Sequence, residues 1–138
     1  MAMTKKILCA TDGEPHSDIP VTLAAQLAAK TGAALSIIAV NILVFEAKGG
    51  SYRQWTDDKM KDVVDHARAV AKTAGAPAAE VVKAVGRDPA AVIVDYAEKN
   101  GFDHVVVGSP RSGVARLVLG SVAAEVAAKA HCPVTVAR

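Results

Sequence analysis

The sequence predicts an α/β fold in which an open, parallel, five-stranded sheet carries helices on both faces. Short runs rich in Val and Ile alternate with longer segments of helical periodicity along the whole chain, and this alternation is typical of parallel strands joined by right-handed crossovers. Most of the apolar runs lack strict alternation with polar residues, as expected of strands covered on both faces. At 138 residues the chain has the length of one domain, which we expect to span residues 1–138.

The predicted order begins with a strand, a helix and a second strand. The runs KKILCAT and ALSIIAV predict strands at 5–11 and 34–40. Between them, leucines and small alanines recur at helical spacing over residues 19–32 and stop at a glycine. Ser17 is the predicted N-cap of this helix, because Pro20 is tolerated in a first turn but not in a helix interior.

Helices and strands continue to alternate through the rest of the chain. The remaining strands are predicted at 79–85, 103–108 and 133–138, and the remaining helices at about 55–74, 89–100 and 120–130. The helix near residue 89 has the clearest start, since Asp88 is a good cap and Pro89 suits the first helical position.

The longest irregular segment is predicted at about residues 41–53. It contains Phe45 and Tyr52 beside Gly49 and Gly50. Glycines next to aromatic residues are compatible with a plain surface loop, with a lid or with a partner surface, and the sequence leaves these alternatives open.

Composition and charge exclude several classes of function. The net charge is only +2 and both signs are mixed along the chain, which argues against nucleic acid as the main partner. No segment is apolar for long enough to cross a bilayer, and the N-terminal apolar run reaches Asp12 without a cleavage site, so we expect a cytoplasmic protein. Cys9 and Cys132 have neither metal-ligand nor redox spacing and are predicted to be small buried residues. The four histidines lie in separate segments, where surface or cap roles are expected and a metal site is not.

Two strand ends are candidates for a binding site, because ligands of open parallel sheets collect at the carboxyl ends of the strands. The first strand ends in ATDG and exposes Asp12, and the fourth ends in VVVGS at Gly108. A glycine allows close backbone approach and positive φ, while Gly120-Ser121 offers free N–H groups at a helix start. The simpler interpretation, in which Gly108 only ends a strand and Ser121 only caps a helix, stays open.

The loop between these glycines suits an anion but matches no standard nucleotide motif. From Gly108 onward the chain has four basic residues and a single acidic one; these are Arg111, Arg116, Lys129, Arg138 and Glu125. Neither the dinucleotide fingerprint GxGxxG nor the P-loop GxxxxGK[ST] occurs. A nicotinamide-dependent enzyme or a P-loop NTPase is therefore not expected.

The whole chain resembles the universal stress protein family. The resemblance is carried by KKILCATDG, by LAAQLAAKTGAAL and, most specifically, by GSPRSGVARLVLGSVAAEVAAKAHCPVTVAR. It implies a parallel sheet in the strand order 3-2-1-4-5, which places the first and fourth strands side by side. Asp12 and Gly108 would then face each other across one crevice.

One branch of this family binds ATP with the pattern G-x2-G-x9-G-[ST], which the chain matches only in part. Gly108 and Gly120-Ser121 fit its ends, but the loop is one residue short and Arg111 stands where the second glycine is expected. The resemblance implies that Asp12 holds the ribose and that Ala10 and Val40 flank the base. The complete set of candidate binding residues is Ala10, Asp12, Val40, Gly108, Ser109, Arg111, Gly113, Gly120, Ser121 and Val122.

Three functions follow from these features. The first is a stress-response protein that binds ATP or a related adenine nucleotide, with Mg²⁺ accompanying the phosphates. The second is a dimeric, partner-binding protein that needs no nucleotide; its final strand, VTVAR, would be an exposed edge that a second copy covers. The third is a weak ATPase, for which Asp12 is the only candidate general base. The sequence does not identify the protein partner.

Overall fold

The centre of the structure is a mostly parallel sheet of six strands within residues 4–109 and 117–138, which are the residues that a computed structural model of the chain describes. The strands are β1 (Lys6–Thr11), β2 (Ala34–Phe45), β3 (Ser51–Arg53), β4 (Glu80–Gly86), β5 (His104–Gly108) and β6 (Val134–Ala137). The helices are α1 (Asp18–Thr31), α2 (Asp57–Thr73), α3 (Pro89–Lys99) and α4 (Ser121–Lys129).

The five parallel strands lie in the order β4-β2-β1-β5-β6, which confirms the predicted order 3-2-1-4-5. At the centre of the sheet, Cys9 of β1 is paired with Ile37 of β2 on one side and with Val106 of β5 on the other. The chain thus leaves β1 in one direction and later returns to its other edge as β5. This reversal creates a crevice at the carboxyl ends of β1 and β5.

The prediction of an irregular segment at 41–53 is wrong. β2 continues to Phe45, and β3 pairs with it in antiparallel register, Val44 opposite Tyr52. Gly49 and Gly50 form the turn, with φ of +90° and +87°, values that side-chain-bearing residues rarely adopt. The glycines therefore make a hairpin turn, and the apolar residues before them continue the strand.

Helix starts agree with the sequence at α3 and differ at α1. The Asp88 side chain accepts a hydrogen bond from the Ala91 N–H at 3.3 Å, and Pro89 opens α3. Ser17 does stand at the N-cap position of α1, with Pro20 in the first turn, but its hydroxyl makes no capping bond. That hydroxyl instead contacts Asp12, so Ser17 belongs to the crevice.

Apolar residues are buried on both faces of the sheet. Cys9 and Ile37 pack toward α1 and α2, whereas Leu8 and Ile38 pack toward α3 and α4. Burial raises the pKa of the Cys9 thiol far above its ordinary value, which makes the thiol unreactive. Cys132 is only half-buried, so the prediction of burial holds for Cys9 and in part for Cys132. Within the described ranges, no helix is both long and apolar enough for a transmembrane span.

Candidate functional site

A cleft of about 480 Å³ opens at the carboxyl ends of the central strands. It is bounded by the ends of β1 and β5, by the middle of β2, by the starts of α3 and α4, and by the segment that joins β3 to α2. The residues that line it are Ala10, Thr11, Asp12, Glu14, His16, Ser17, Val40, Ile42, Gln54, Trp55, Pro89, Ile93, Val107, Gly108, Ser109, Gly120, Ser121, Val122 and Ala123.

Every candidate binding residue that the structure describes lines this one cleft. The ends of β1 and β5 contribute Ala10, Asp12, Gly108 and Ser109, the middle of β2 contributes Val40, and the start of α4 contributes Gly120, Ser121 and Val122. Arg111 and Gly113 lie outside the described residues. The structure thus brings together chain segments that are nearly a hundred positions apart in the sequence.

Asp12 is fixed by the turn that follows β1. Its Oδ1 atom accepts hydrogen bonds from the Ser17 hydroxyl and, at 2.9 Å, from the Glu14 N–H. The Asp12 N–H donates in turn to the Ser17 hydroxyl oxygen at 3.1 Å. The Oδ2 atom lies 2.9 Å from Nε2 of His16. Since the Asp12 side chain is 56% exposed, a carboxylate oxygen of fixed orientation is presented to the cleft.

The start of α4 supplies backbone donors to the same cleft. Gly120 is its N-cap and makes no side-chain capping bond. The Gly120 N–H donates to the hydroxyl of Ser109 at 3.0 Å, and the first helical bond runs from Ala124 to Gly120. The N–H groups of the first turn before Ala124 have no acceptor within the helix. Together with the helix dipole they favour an anion at this end of the cleft.

Gly108 serves packing rather than an unusual backbone conformation. Its φ is not positive, so the conformational freedom expected from the sequence is not used there. A Cβ at this position would lie 3.2 Å from Cγ of Pro20 and 3.8 Å from the carbonyl oxygen of Ala137. The missing side chain therefore lets α1 pack closely on the end of β5.

Sequence reasoning missed the wall formed by Trp55 and the residue that holds it. Trp55 is only 8% exposed. The backbone N–H of Trp55 donates to Oδ1 of Asn41 at 2.8 Å, and the backbone carbonyl oxygen of Trp55 accepts from Nδ2 of Asn41 at 2.9 Å. The polar Asn41 inside the run AVNILVF was the available signal, because a buried amide needs partners. Ser17, Gln54 and His16 were likewise not assigned to the site.

The described lining has little side-chain charge. Asp12, Glu14 and His16 are its titratable residues, and it includes neither lysine nor arginine. Lys129 lies at the far end of α4, 3.7 Å from Glu125. It is counted in the positive bias of the sequence but does not line the cleft. Among the residues described, no group of three His, Cys, Asp or Glu side chains is arranged to hold a metal ion.

Comparison with known proteins gives a consistent result. The sequence model of the universal stress protein family matches residues 3–138. A curated relative, universal stress protein MJ0531 of Methanocaldococcus jannaschii, is 47% identical over 51 residues, which are 36% of this chain and 30% of that protein. The matched region of the chain therefore covers less than a third of the length of this relative.

Solved structures match over nearly the full length. A universal stress protein in complex with cAMP is 29% identical and has a TM-score of 0.77, with 99% of this chain and 98% of that chain covered. The universal stress protein of Archaeoglobus fulgidus in complex with dAMP is 20% identical and has a TM-score of 0.71, with both chains covered completely. At 20% identity, the match to the dAMP complex shows a similar fold and no more.

Proposed function

The chain belongs to the universal stress protein family, and from this membership we propose that its cleft binds an adenine nucleotide. The observation that carries the proposal is the meeting of Asp12 with the start of α4 in one cleft. A carboxylate acceptor at one end and backbone N–H donors at the other are what a ribose and a phosphate require.

The nucleoside is proposed to lie at the β1–β2 end of the cleft. Ala10 and Val40 would flank the base, and Oδ2 of Asp12 would accept a hydrogen bond from a ribose hydroxyl. Trp55 and Ile42 extend the apolar wall beside Val40. Small-molecule sites commonly combine such apolar walls with a few fixed polar groups.

The phosphates are proposed to lie at the start of α4. The N–H groups of Ser121 and Val122 would donate to phosphate oxygens, and Arg111 would add a charged donor from the loop. Charge-assisted hydrogen bonds contribute about 1.5–3 kcal/mol each. A loop one residue short that lost one or two of them would bind about ten- to several-hundred-fold more weakly, and we propose that Arg111 offsets part of this loss.

ATP is the proposed ligand, and Mg²⁺ would accompany it. Because the described lining lacks a cluster of metal ligands, the ion would be held mainly by phosphate oxygens and water. The relatives support an adenine nucleotide in general, since structures of the family are described with cAMP and with dAMP.

A homodimer through β6 is the second part of the proposal. β6 is at one end of the sheet order. The Val105 N–H donates to the carbonyl oxygen of Pro133 at 3.0 Å. Because the N–H and C=O groups of successive residues in a strand point to alternate sides, the N–H and C=O groups of Val134 and Val136 face away from β5. An antiparallel copy of β6 would cover this edge.

Calorimetric titration with ATP and Mg²⁺ tests the nucleotide proposal. Asp12→Asn keeps an acceptor for Ser17 and Glu14 but replaces Oδ2 by an amide nitrogen that cannot accept a ribose hydroxyl. We expect it to weaken ATP binding by about ten-fold or more. Asp18→Asn is the matched control, because Asp18 also pairs with a histidine at 2.9 Å and does not line the cleft; it should bind ATP as the wild type does.

Absence of ATP binding by the wild type at millimolar concentration would refute the nucleotide proposal and favour the nucleotide-independent alternative. Equal affinities of Asp12→Asn and the wild type would place the ligand elsewhere.

A further inference from the structure

The hairpin formed by the end of β2 and by β3 carries two aromatic side chains that the rest of the fold leaves exposed. Phe45 ends β2 and Tyr52 lies in β3, and each is 52% exposed. The other aromatic residues are placed differently: Trp55 and Phe102 are buried, and the Tyr96 ring lies 5.7 Å from the Phe102 ring. Exposed apolar side chains that lie close together often mark an interaction surface.

The hairpin projects beyond the sheet and carries its two rings on opposite faces. Residues 45–54 are all exposed, and among the described strands β3 pairs with β2 alone. Val44 lies opposite Tyr52 in the register, so these two side chains share one face of the ribbon. Phe45 is the next residue after Val44 and therefore points to the other face. A flat partner laid against one face would reach only one of the two rings.

Three basic side chains surround the rings. Lys48 is in the turn of the hairpin and Arg53 ends β3. Arg87 directly follows β4, and its Cζ atom lies 4.7 Å from the centroid of the Phe45 ring. All three cations are exposed. Within the part of the chain that the structure describes, none of them forms an ion pair with a carboxylate.

Acidic residues of the hairpin do not balance these cations. Glu46 is the one acidic residue in positions 45–54. Asp88 follows Arg87 in the chain, but its carboxylate already accepts a hydrogen bond from the Ala91 N–H at the start of α3. The hairpin and Arg87 together thus carry three positive charges and one negative charge. This balance favours a partner with negative charge.

The shape of the hairpin favours a lipid surface over a peptide as that partner. Folded domains usually bind peptides in a groove or along a free strand edge. Three clefts of about 310, 490 and 480 Å³ are described, and neither Phe45 nor Tyr52 lines any of them; β3 has only three residues to offer as an edge. A headgroup layer surrounds a hairpin that enters it, so it can accept a ring on each face while its phosphates meet the cations.

We propose that the β2–β3 hairpin docks on an anionic lipid surface. Phe45 and Tyr52 enter the headgroup layer, and Lys48, Arg53 and Arg87 interact with the lipid phosphates. The attachment is peripheral and reversible, because two rings bury far less apolar surface than a membrane-spanning helix does. The two rings and three cations are not part of the lining of the nucleotide cleft, so this inference stands or falls independently of the proposed function.

Co-sedimentation of the full chain with lipid vesicles tests the proposal. One set of vesicles contains phosphatidylcholine alone, and in the other half of the lipid is phosphatidylglycerol, which is anionic. We expect the wild type to bind the mixed vesicles and to leave the phosphatidylcholine vesicles largely unbound. High salt should release it from the mixed vesicles, because salt screens attraction between exposed charges.

Variants separate the hairpin from general attraction by a positively charged protein. Phe45→Ala combined with Tyr52→Ala should lower the partition coefficient by about ten-fold or more. Arg53→Gln should lower it by about five-fold, the effect of one cation near the surface. Lys99→Gln is the matched control, because it removes an equal charge at the end of α3, where Lys99 pairs with Asp95 at 3.1 Å; it should bind as the wild type does. Far-UV circular dichroism checks that each variant is folded.

Several results would overturn the proposal. These are a wild type that binds no mixed vesicles, folded aromatic variants that bind as the wild type does, and equal losses in Arg53→Gln and Lys99→Gln. Protein that ignores the vesicles but binds fluorescent polyglutamate, with binding lost in Arg53→Gln, would assign the hairpin to an acidic peptide instead. None of these measurements depends on whether the cleft binds ATP.

Discussion

Gly13, which follows Asp12, packs closely against helix α2 and Trp55. Its φ is +78°, and a Cβ added there would lie 2.9 Å from Cγ2 of Val63 and 3.0 Å from the Trp55 ring. The glycine next to Asp12 is therefore needed for two reasons, backbone conformation and lack of space. Because Trp55 lines the cleft, any side chain at position 13 would also move a wall of the binding site.

Alanine substitutions at two glycines separate these reasons. Gly32 has nearly the same φ, +76°, but no atom within 4 Å of an added Cβ. We expect Gly32→Ala to lower the free energy of unfolding by about 1–2 kcal/mol through backbone strain alone. Gly13→Ala should lower it by about 1–3 kcal/mol more, because overpacking is added. Urea unfolding followed by circular dichroism measures both, and equal losses would contradict the crowding of Gly13.

At the scale of residues, the sequence indicated which residues belong to the cleft but not which atoms they contact. Asp12, Gly108 and Gly120 could be assigned to a cleft because their types suit strand ends and helix starts. The contacts of Ser17, His16 and Trp55 depend on how a turn and a hairpin fold over the strand ends. Spacing along the chain carries no signal for such contacts, so Ser17 was predicted as an N-cap, His16 as a surface or cap residue, and Trp55 was given no role.

The hairpin β2–β3 and the start of α2 are joined to the sheet through one side chain. Asn41 lies in β2 and binds both the N–H and the carbonyl oxygen of Trp55. Both hydrogen bonds are buried. Asn41 therefore fixes the position of the segment that leads from β3 into α2.

Replacement of Asn41 by leucine should leave two backbone groups of Trp55 without partners. A buried unsatisfied group costs about 1–3 kcal/mol, so Asn41→Leu, which leaves two, should lower the free energy of unfolding by about 2–6 kcal/mol. Asn100→Ala is the control, since the Asn100 amide also donates to a carbonyl, that of Tyr96 at 2.9 Å, but is exposed; a change of about 0.5 kcal/mol or less is expected. Similar losses for the two variants would show that Asn41 does not hold this segment.

At the scale of elements, periodicity predicted the four helices and five parallel strands, with shifts at their ends. It failed at β3, because three residues are too few for a periodic pattern and two adjacent glycines indicate a loop as readily as a turn. The extension of β2 to Phe45 was missed because the polar Asn41 interrupts the apolar run. The part of the cleft formed by Gln54 and Trp55 follows this hairpin in the chain, so it could not be predicted without the hairpin.

The molecule as a whole is organised by the reversal of strand order at β1. The alternation of strands and helices predicts a parallel sheet, but several strand orders satisfy it. The order 3-2-1-4-5 came from the family resemblance, and the match of the family to residues 3–138 and the observed pairing confirm it. The cleft exists because this order places β1 beside β5.

Dimerisation belongs to this scale, and sedimentation measures it. We expect the wild type to be a dimer at tens of micromolar. Val136→Pro removes an N–H that faces away from β5 and should give a monomer with only a modest loss of stability. A far-UV circular dichroism spectrum like that of the wild type confirms that the variant is folded. A monomeric wild type, or a folded Val136→Pro variant that stays dimeric, would contradict pairing through β6.

Trp55 is the single tryptophan of the chain; it lines the cleft, and its side chain packs with Met60 and Val63 of α2. Its fluorescence therefore originates from one known place. Because Trp55 lines the cleft, we expect a nucleotide that fills it to change the emission of the unlabelled protein, with no second tryptophan to mask the signal.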